Sequence, residues 1–246
     1  MKFKMYWLLP IMLVAMASGC QNSCAKGDTG PMGPSGSNGS NGQNAYPMAS
    51  TYLYNNNFDS ASGVSEWVGY VNAGGSVSAA LVTTLFLSPP KCLGINLGGS
   101  PGSNVAMQLN YSGSGNLIFD SYQNFSGFTV NNEQGEYTFF FGGKRHMTLG
   151  AIYNSGNISL YTYNGTSQTT IDPSVNVGTW HHMTEVWHQS ADTADYYVDG
   201  NLLAQGYAAG LLTWNTSSYP YEIAFYVPAA ATGGQIWYAD DLSIGQ

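Results

Sequence analysis

The chain has 246 residues, of which 8 % are charged, 14 % are aromatic and 31 are glycines. This composition is typical of an extracellular β-rich domain and argues against a helical enzyme. Without Lys2 and Lys4, the sequence has four basic and fourteen acidic residues, which gives a formal net charge of −10. Because phosphate binding depends on clustered Lys and Arg, this balance argues against nucleic acid and polyanionic glycans as partners. Neutral ligands or Ca²⁺ are more compatible with this negative charge.

The first twenty residues have the pattern of a targeting segment. Two lysines precede an apolar stretch, MYWLLPIMLVAM. This stretch is too short to span a bilayer, which requires about 20 residues. The following ASGC resembles the lipobox of bacterial lipoproteins, with Ala17 where that family most often has leucine. The resemblance implies a signal peptide over residues 1–19, a lipidated Cys20 and, from Gln21, a place in the cell envelope at the outer membrane or cell surface. The alternative is an ordinary cut after Ala17, which would leave a secreted chain.

Glycine occupies every third position from Gly27 to Gly42, in the sequence GDTGPMGPSGSNGSNGQN at residues 27–44. The segment resembles a collagen repeat, in which only glycine fits at the axis where three chains meet. Since it has only two prolines, it suits an extended monomeric spacer as well as a short triple helix that would make the chain a homotrimer. In both cases residues 20–49 are predicted to be a lipid-anchored linker that holds the next domain up to roughly 50 Å from the membrane.

Two further cysteines are present, Cys24 in the linker and Cys92 in the following domain. A disulfide between them is permitted outside the cytoplasm. Two unpaired thiols, or a bridge between chains through Cys24, are equally compatible with the sequence. The spacing alone leaves these three arrangements open.

From about residue 50 the chain consists of short strand patterns separated by Gly, Asn and Ser clusters, and no segment keeps a helical period. About a dozen strands predict one all-β domain over residues 50–246, a two-sheet antiparallel sandwich preceded by the extended stalk. The predicted strands are SVSAALVTTLFL (76–87), KCLGINL (91–97), VAMQLNY (105–111), NLIFDSYQNF (116–125), EYTFFFG, HMTLGAIY, NISLYTY, HHMTEVWH, ADYYVDG, YEIAFYV and QIWYADDLSI.

One stretch of the domain carries a family resemblance. TWHHMTEVWHQSADTADYYVDGNLLA, at residues 179–204, resembles a strand pair of LamG-like, concanavalin A-like jelly rolls. NNNFDS at 55–60 and YADDLSI at 238–244 are similar to the first and last strands of carbohydrate-binding jelly-roll modules. The resemblance implies a jelly-roll sandwich whose concave sheet contacts glycans or proteins, with Ca²⁺ at the rim in some members.

Three of the four histidines fall within nine positions, in WHHMTEVWH at 180–188. Successive side chains on a strand point to opposite faces, so His181 and His182 diverge. His182 and His188 share a face but lie roughly 20 Å apart along the strand, whereas zinc–nitrogen bonds are about 2.0 Å. The spacing therefore predicts structural histidines rather than a metal site.

The carboxylates lack the arrangement of a known glycosidase. None of the five glutamates falls in the Glu-x-Asp-x-x-Glu pattern with which jelly-roll hydrolases supply both catalytic groups from one strand. Glu133 and Glu136, three residues apart, would point to opposite faces. A G-x-S-x-G elbow and a Gly-rich phosphate loop are also absent from the sequence. We therefore predict that the chain is not an enzyme, with an atypical glycan-cleaving site as the remaining alternative.

Acidic residues near the two ends of the domain are candidate metal ligands. Asp240 and Asp241 lie in the predicted last strand and Asp59 in the predicted first, so pairing of these strands would bring them together. Ca²⁺ prefers carboxylate and carbonyl oxygens, and the resembling carbohydrate-binding modules hold Ca²⁺ in a similar place. The sequence predicts a calcium site here. The alternative is that these carboxylates are solvated or accept hydrogen bonds from loop amides.

Aromatic residues outside the strongest strand are candidates for glycan contact, because flat rings cover the apolar faces of sugars. The candidates are Trp67, Tyr122, Trp214, Tyr219, Tyr226 and Trp237. The alternative for each is packing in the core. Together these observations predict a surface-anchored, non-catalytic recognition protein for a glycan or an extracellular protein. The alternative is a structural envelope lipoprotein, trimeric through its stalk, without a small ligand.

Overall fold

A computed structural model describes residues 47–71, 76–98, 101–111, 115–141, 144–210, 221–228 and 235–246. The predicted signal peptide, the lipidation site Cys20 and the Gly-X-Y segment 27–44 lie outside these residues and stay predictions. Within the described ranges there is no helix, and hence none that could cross a membrane.

The first sheet has eight antiparallel strands. Both ends of the domain meet in it, because the first strand pairs with the last from Tyr52–Gly245 to Asn56–Leu242. Its strands, in spatial order, are β13 (Asn201–Ala208), β12 (Thr193–Val198), β11 (Trp180–His188), β6 (Leu117–Gly127), β15 (Ile236–Gly245), β4 (Cys92–Asn96) and β3 (Ser78–Val82), with β1 (Tyr52–Asn56) on β15.

The second sheet has seven antiparallel strands and faces the first across the core. Its strands, in spatial order, are β10 (Gln168–Asn176), β9 (Asn157–Tyr163), β8 (Lys144–Asn154), β7 (Gln134–Phe141), β14 (Tyr221–Tyr226), β5 (Asn104–Leu109) and β2 (Val68–Tyr70). The prediction of an all-β, two-sheet antiparallel jelly roll is confirmed for the described domain.

Aromatic rings fill the space between the sheets. Phe119 of β6 packs on Phe139 of β7 with ring centroids 5.3 Å apart, and Phe225 of β14 packs on Trp237 of β15 at 5.5 Å. All four side chains are almost fully buried, and each such burial contributes about 1.5–3 kcal/mol to stability. These contacts decide which face of each strand points inward.

Strand β11 shows the predicted alternation, with Met183 and Trp187 in the core. The three imidazoles do not converge, since each contacts a different aspartate, and the ring of His182 also stacks on Tyr122 at 4.5 Å. The prediction of structural histidines is confirmed. The pairs are His181–Asp199 (2.8 Å), His182–Asp120 (2.8 Å) and His188–Asp195 (2.9 Å).

The sequence VDGN, at residues 198–201, forms the tight turn after β12. Asp199 and Gly200 have φ values of 50° and 79°, the positive angles that a tight type I′ hairpin requires. The Asp199 carboxylate also accepts the backbone N–H of His182 at 2.9 Å. Asp199 therefore closes a hairpin and ties it to β11.

Cys92 is buried at the start of β4. Its thiol donates a hydrogen bond to the Leu85 carbonyl at 2.7 Å, and burial raises the pKa of the thiol to about 12. Thiolate is the reactive form of cysteine. The thiol of Cys92 is therefore held in its unreactive form. Cys24 lies outside the described residues, and a disulfide between the two stays one of the three alternatives.

Glu185 places a carboxyl group inside the sandwich. It lies on the inward face of β11 between Met183 and Trp187 and is only 2 % exposed. Its Oε2 has no hydrogen-bond partner among the described residues, and burial raises the pKa of the group well above its ordinary value. The neutral acid is therefore the form that the core accommodates.

We predict that Glu185→Gln removes a pH-dependent loss of stability. The carboxyl of the unfolded chain ionises near pH 4.3, whereas the folded protein keeps it neutral to higher pH. The contribution of Glu185 to the free energy of unfolding is thus greatest below pH 4.3. It falls by about 1.4 kcal/mol per pH unit as the pH rises towards the raised pKa. Urea unfolding at pH 4 and pH 8 measures this slope. Exposed Glu66→Gln is the control, and an equal slope in wild type and Glu185→Gln would contradict the assignment.

Candidate functional site

Two of the predicted glycan-contact aromatics lie in the core. Trp67 is 5 % exposed and packs on Phe225 at 5.6 Å, and Trp237 is fully buried against Phe125 at 5.2 Å. Their prediction as ligand contacts was wrong, because the largest rings are the ones that close the space between the sheets. Trp214 and Tyr219 fall in residues 211–220, outside the described part of the chain.

The carboxylate of Asp240 holds a loop. It accepts the backbone N–H groups of Leu87 at 3.0 Å, Ser88 at 3.1 Å and Asp241 at 2.9 Å. These bonds explain why β3 ends at Val82 although the strand pattern extends to residue 87. Burial raises the pKa of Asp240 to about 6.

Asp59, in the segment after β1, contacts the same loop, since its carboxylate accepts the Ser88 hydroxyl at 3.4 Å. The structure thus brings Asp59 near Asp240, and Asp241 follows in β15. Among the described residues no group of three His, Cys, Asp or Glu side chains is arranged to hold a metal ion. Calcium at Asp59, Asp240 and Asp241 stays a prediction, beside the loop-amide role that Asp240 performs.

Tyr226, another of the predicted glycan-contact residues, lies on the side of the second sheet that faces away from the core. Ile223 and Phe225 of β14 point into the core, so Glu222, Ala224 and Tyr226 point outward. The same alternation applies on the neighbouring strands. We call this side the outer face; its larger side chains are Tyr70, Asn104, Gln108, Glu136, Phe140, Arg145, Tyr161, Tyr163, Glu222 and Tyr226.

A carboxylate lies at the centre of the outer face. Glu136 is 1 % exposed and forms an ion pair with Arg145 through Oε2, while the Tyr161 hydroxyl donates to Oε1 at 2.8 Å. Burial raises the pKa of Glu136, and the guanidinium and the two hydrogen bonds oppose that rise. Glu136 therefore positions Arg145 and Tyr161 rather than meeting solvent itself.

Arg145 orders two aromatic rings. Its guanidinium carbon lies 4.3 Å from the ring centroid of Tyr163 on β9 and 4.6 Å from that of Tyr226 on β14. Cation–π contacts of this kind contribute about 0.5–2 kcal/mol each. The two half-buried rings are thus held at the surface in fixed positions.

Small residues make room for this layer of rings. Gly150 pairs with both Glu136 and Tyr161, and a Cβ at Gly150 would collide with the Tyr161 ring. The neighbouring row across the strands is Ala106, Ala224, Thr138, Thr148 and Tyr163. Because its first four members are buried although they point outward, larger side chains lie over them.

The outer face ends in a pocket at the β2 edge. The pocket has a volume of about 400 Å³, and its Tyr70 side chain is 49 % exposed. Tyr70 pairs with Asn104, which pairs with Tyr226, so the pocket continues the row of rings. We call this cavity the edge pocket; it is lined by Ser65, Glu66, Val68, Tyr70, Ala106, Met107, Gln108 and Glu222.

The sequence predicted only Tyr226 among the residues of this face. Alternation in YEIAFYV separates Tyr226 from Phe225, but it does not show which side of the strand is inside. Glu136 and Arg145 are nine positions apart on adjacent strands, and β2 is too short to give a strand pattern. The signal that could have been used is Gly150 among large residues, which marks a close approach of another group.

A family model supports this fold. Residues 125–234 match Laminin_G_3, described as the concanavalin A-like lectin/glucanases superfamily. No curated protein sequence matches the chain. The predicted resemblance to concanavalin A-like jelly rolls is confirmed at the level of the fold.

Solved structures of the same fold include a cellulose-induced protein and catalytic proteins. The cellulose-induced protein Cip1 superposes with a TM-score of 0.57 at 13 % identity, over 78 % of this chain and 96 % of that one. An endo-β-1,4-glucuronan lyase from the fungus Trichoderma reesei gives 0.52 at 12 %, over 80 % and 96 %. The catalytic domain of a glycoside hydrolase family 131 protein from Coprinopsis cinerea gives 0.52 at 14 %, over 79 % and 94 %.

These similarities correct the prediction that the chain is not an enzyme. The lyase and the family 131 domain show that this fold serves catalysis. The prediction was wrong because it was based on the absence of a carboxylate motif within one strand. Across an antiparallel sheet, side chains from different strands share one face, as Glu136, Arg145 and Tyr161 do here, so a site can be assembled without any contiguous motif.

We predict that Gly150→Ala destabilises the domain by about 1–3 kcal/mol, the usual cost of inserting a methyl group into a packed site. The added Cβ would displace the Tyr161 ring and break its hydrogen bond to Glu136. Thermal unfolding measures the loss. Gly63→Ala is the matched control, because a Cβ there meets nothing within 4 Å. Equal melting temperatures of the two variants would contradict this account of the outer face.

Proposed function

We propose that the outer face binds a glycan. The observation that carries the proposal is a set of rings on one face of the sheet: Tyr163 and Tyr226, which Arg145 holds, and the exposed Tyr70 of the edge pocket, which Asn104 separates from Tyr226. Flat rings bind the apolar faces of sugars, and neighbouring amides and carboxylates bind the hydroxyl groups.

The polar groups that such binding requires are present beside the rings. Gln108 is exposed in the edge pocket, and Asn104 lies between Tyr226 and Tyr70 in the sheet. The comparisons support the same reading, since the matching family model is described by lectins and glucanases and the neighbours include a glucuronan lyase.

A second candidate function, glycan cleavage, is favoured by two carboxyl groups in one cavity. Glu66 and Glu222 both line the edge pocket, and burial raises the pKa of Glu222. Glycosidases require one carboxyl that stays protonated as a general acid and a second that is ionised. Glu222 would be the acid and Glu66 the base or nucleophile.

We also propose that the chain is anchored in the cell envelope through Cys20, with residues 27–44 as a spacer. The supporting observation is the lipobox-like ASGC before an uninterrupted run of Gly-X-Y triplets. A second acyl chain converts reversible membrane binding into stable anchoring, since each buried CH₂ contributes about 0.8 kcal/mol. The spacer would hold the jelly roll away from the lipid surface.

We predict that Tyr70→Ala and Tyr226→Ala each weaken glycan binding by several-fold to about tenfold, because each removes a stacking ring. An array of immobilised glycans identifies a binding oligosaccharide, and calorimetry with the full-length chain measures its affinity. Tyr52→Ala is the matched control, since Tyr52 is 48 % exposed but lies in β1 of the other sheet. Binding that responds to Tyr52→Ala and not to the two outer-face variants would overturn the proposed site.

For cleavage, we expect wild type to release reducing or unsaturated ends from a glycan that it binds. Glu222→Gln should lower the rate by about 100-fold or more, the contribution of a general acid. Its affinity for the glycan, measured in parallel, shows whether binding survives. No release from any bound glycan, or equal rates in wild type and Glu222→Gln, would exclude this candidate while leaving glycan binding intact.

For anchoring, we expect the full-length chain produced in a Gram-negative host to carry fatty acid and to sediment with membranes. Cys20→Ser should abolish incorporation of labelled palmitate, because the thiol that accepts the lipid is lost. Cys24→Ser serves as the control. A chain that begins at residue 18 by mass, without lipid, would show instead that the cut follows Ala17.

A further inference from the structure

The edge pocket is acidic as well as aromatic. Two strand pairings form it, Val68 with Ala106 and Tyr70 with Asn104, and Glu222 of β14 enters from the next strand opposite Gln108. Glu66 precedes β2 and reaches the same cavity, where its Oε1 accepts the Tyr54 hydroxyl at 3.2 Å. Two carboxyl groups therefore share about 400 Å³ with one exposed ring.

The carboxyl groups of the pocket have no basic partner in its described lining. Arg145 is aligned with Glu222 across the sheet, two strands away. Its guanidinium is already paired with Glu136. Lys91 donates to the Ala61 carbonyl instead. Only four basic residues follow Cys20 in the sequence, so the protein offers few cations that could balance Glu66 and Glu222.

This charge decides which sugars the pocket favours. A neutral sugar would remove water from both carboxylates and return only hydroxyl hydrogen bonds, whereas burying uncompensated charge is costly. A sugar with its own carboxylate adds repulsion. A protonated amine supplies three N–H donors and a positive charge, and the face of Tyr70 can attract the same cation.

We infer that the edge pocket binds a glycan unit bearing a protonated amine, so that the preferred ligands are amino sugars with free rather than acetylated nitrogen. This inference rests on the proposed glycan-binding function and names its ligand class. The net charge of −10 after Cys20 acts in the same direction, because it draws cationic chains towards the protein at low ionic strength.

Calorimetry with the full-length chain tests the inference on three hexamers of equal length, of glucosamine, N-acetylglucosamine and glucose, linked β-1,4. We expect the glucosamine hexamer to bind at least about tenfold more tightly than the other two, the effect of one charge-assisted hydrogen bond. Raising the salt concentration should reduce only this advantage.

Variants separate the pocket from the overall charge. Glu222→Gln should remove most of the preference for glucosamine over the two neutral hexamers, and Glu66→Gln should act in the same direction. Asp28→Asn in the Gly-X-Y segment changes the net charge equally and should preserve the preference. Thermal melts establish that each variant is folded; if Glu222→Gln is not, Glu66→Gln carries the test.

The outcomes distinguish this inference from the function on which it rests. Equal affinity for all three hexamers, or a preference that Asp28→Asn abolishes as fully as Glu222→Gln, would overturn the amine site while glycan binding stands. Tighter binding of a uronic acid hexamer would overturn it too. Failure of every glycan to bind would refute the proposed function itself.

Discussion

Packing of aromatic rings between the two sheets is the constraint on which the rest of the structure depends. Contacts such as Phe119 with Phe139 and Phe225 with Trp237 assign one face of each strand to the core. Since side chains alternate, the opposite faces of β5, β7, β8 and β14 are assigned at the same time. The outer face is therefore a consequence of the core, and Glu136 lies on it because Tyr137 lies inside.

On that face, polar and aromatic groups stabilise one another without a contiguous motif. Glu136 is nearly inaccessible to solvent, yet it holds Arg145 and Tyr161, and Arg145 holds the rings of Tyr163 and Tyr226. Gly150 leaves the space that this layer occupies. A rigid surface of rings loses little conformational entropy when a ligand binds.

The same geometry explains why binding and cleavage are both compatible with this fold. The outer face supplies rings and amides, and the edge pocket adds Glu66 and Glu222 from separate strands or loops. A search for paired carboxylates within one strand could not detect such an arrangement, because the pairing is across the sheet.

The sequence by itself determined the all-β class, most of the central strands and the divergence of the histidines, because these follow from local alternation. It missed the edge strands β2, β10 and β13, and it extended β3 to residue 87. Only the tertiary structure decided that Trp67 and Trp237 are core residues, that Asp240 holds a loop, and that Tyr226 belongs to an outer face with Glu136 and Arg145. The physical reason is that alternation shows which residues share a face, whereas burial of that face depends on which strands become neighbours.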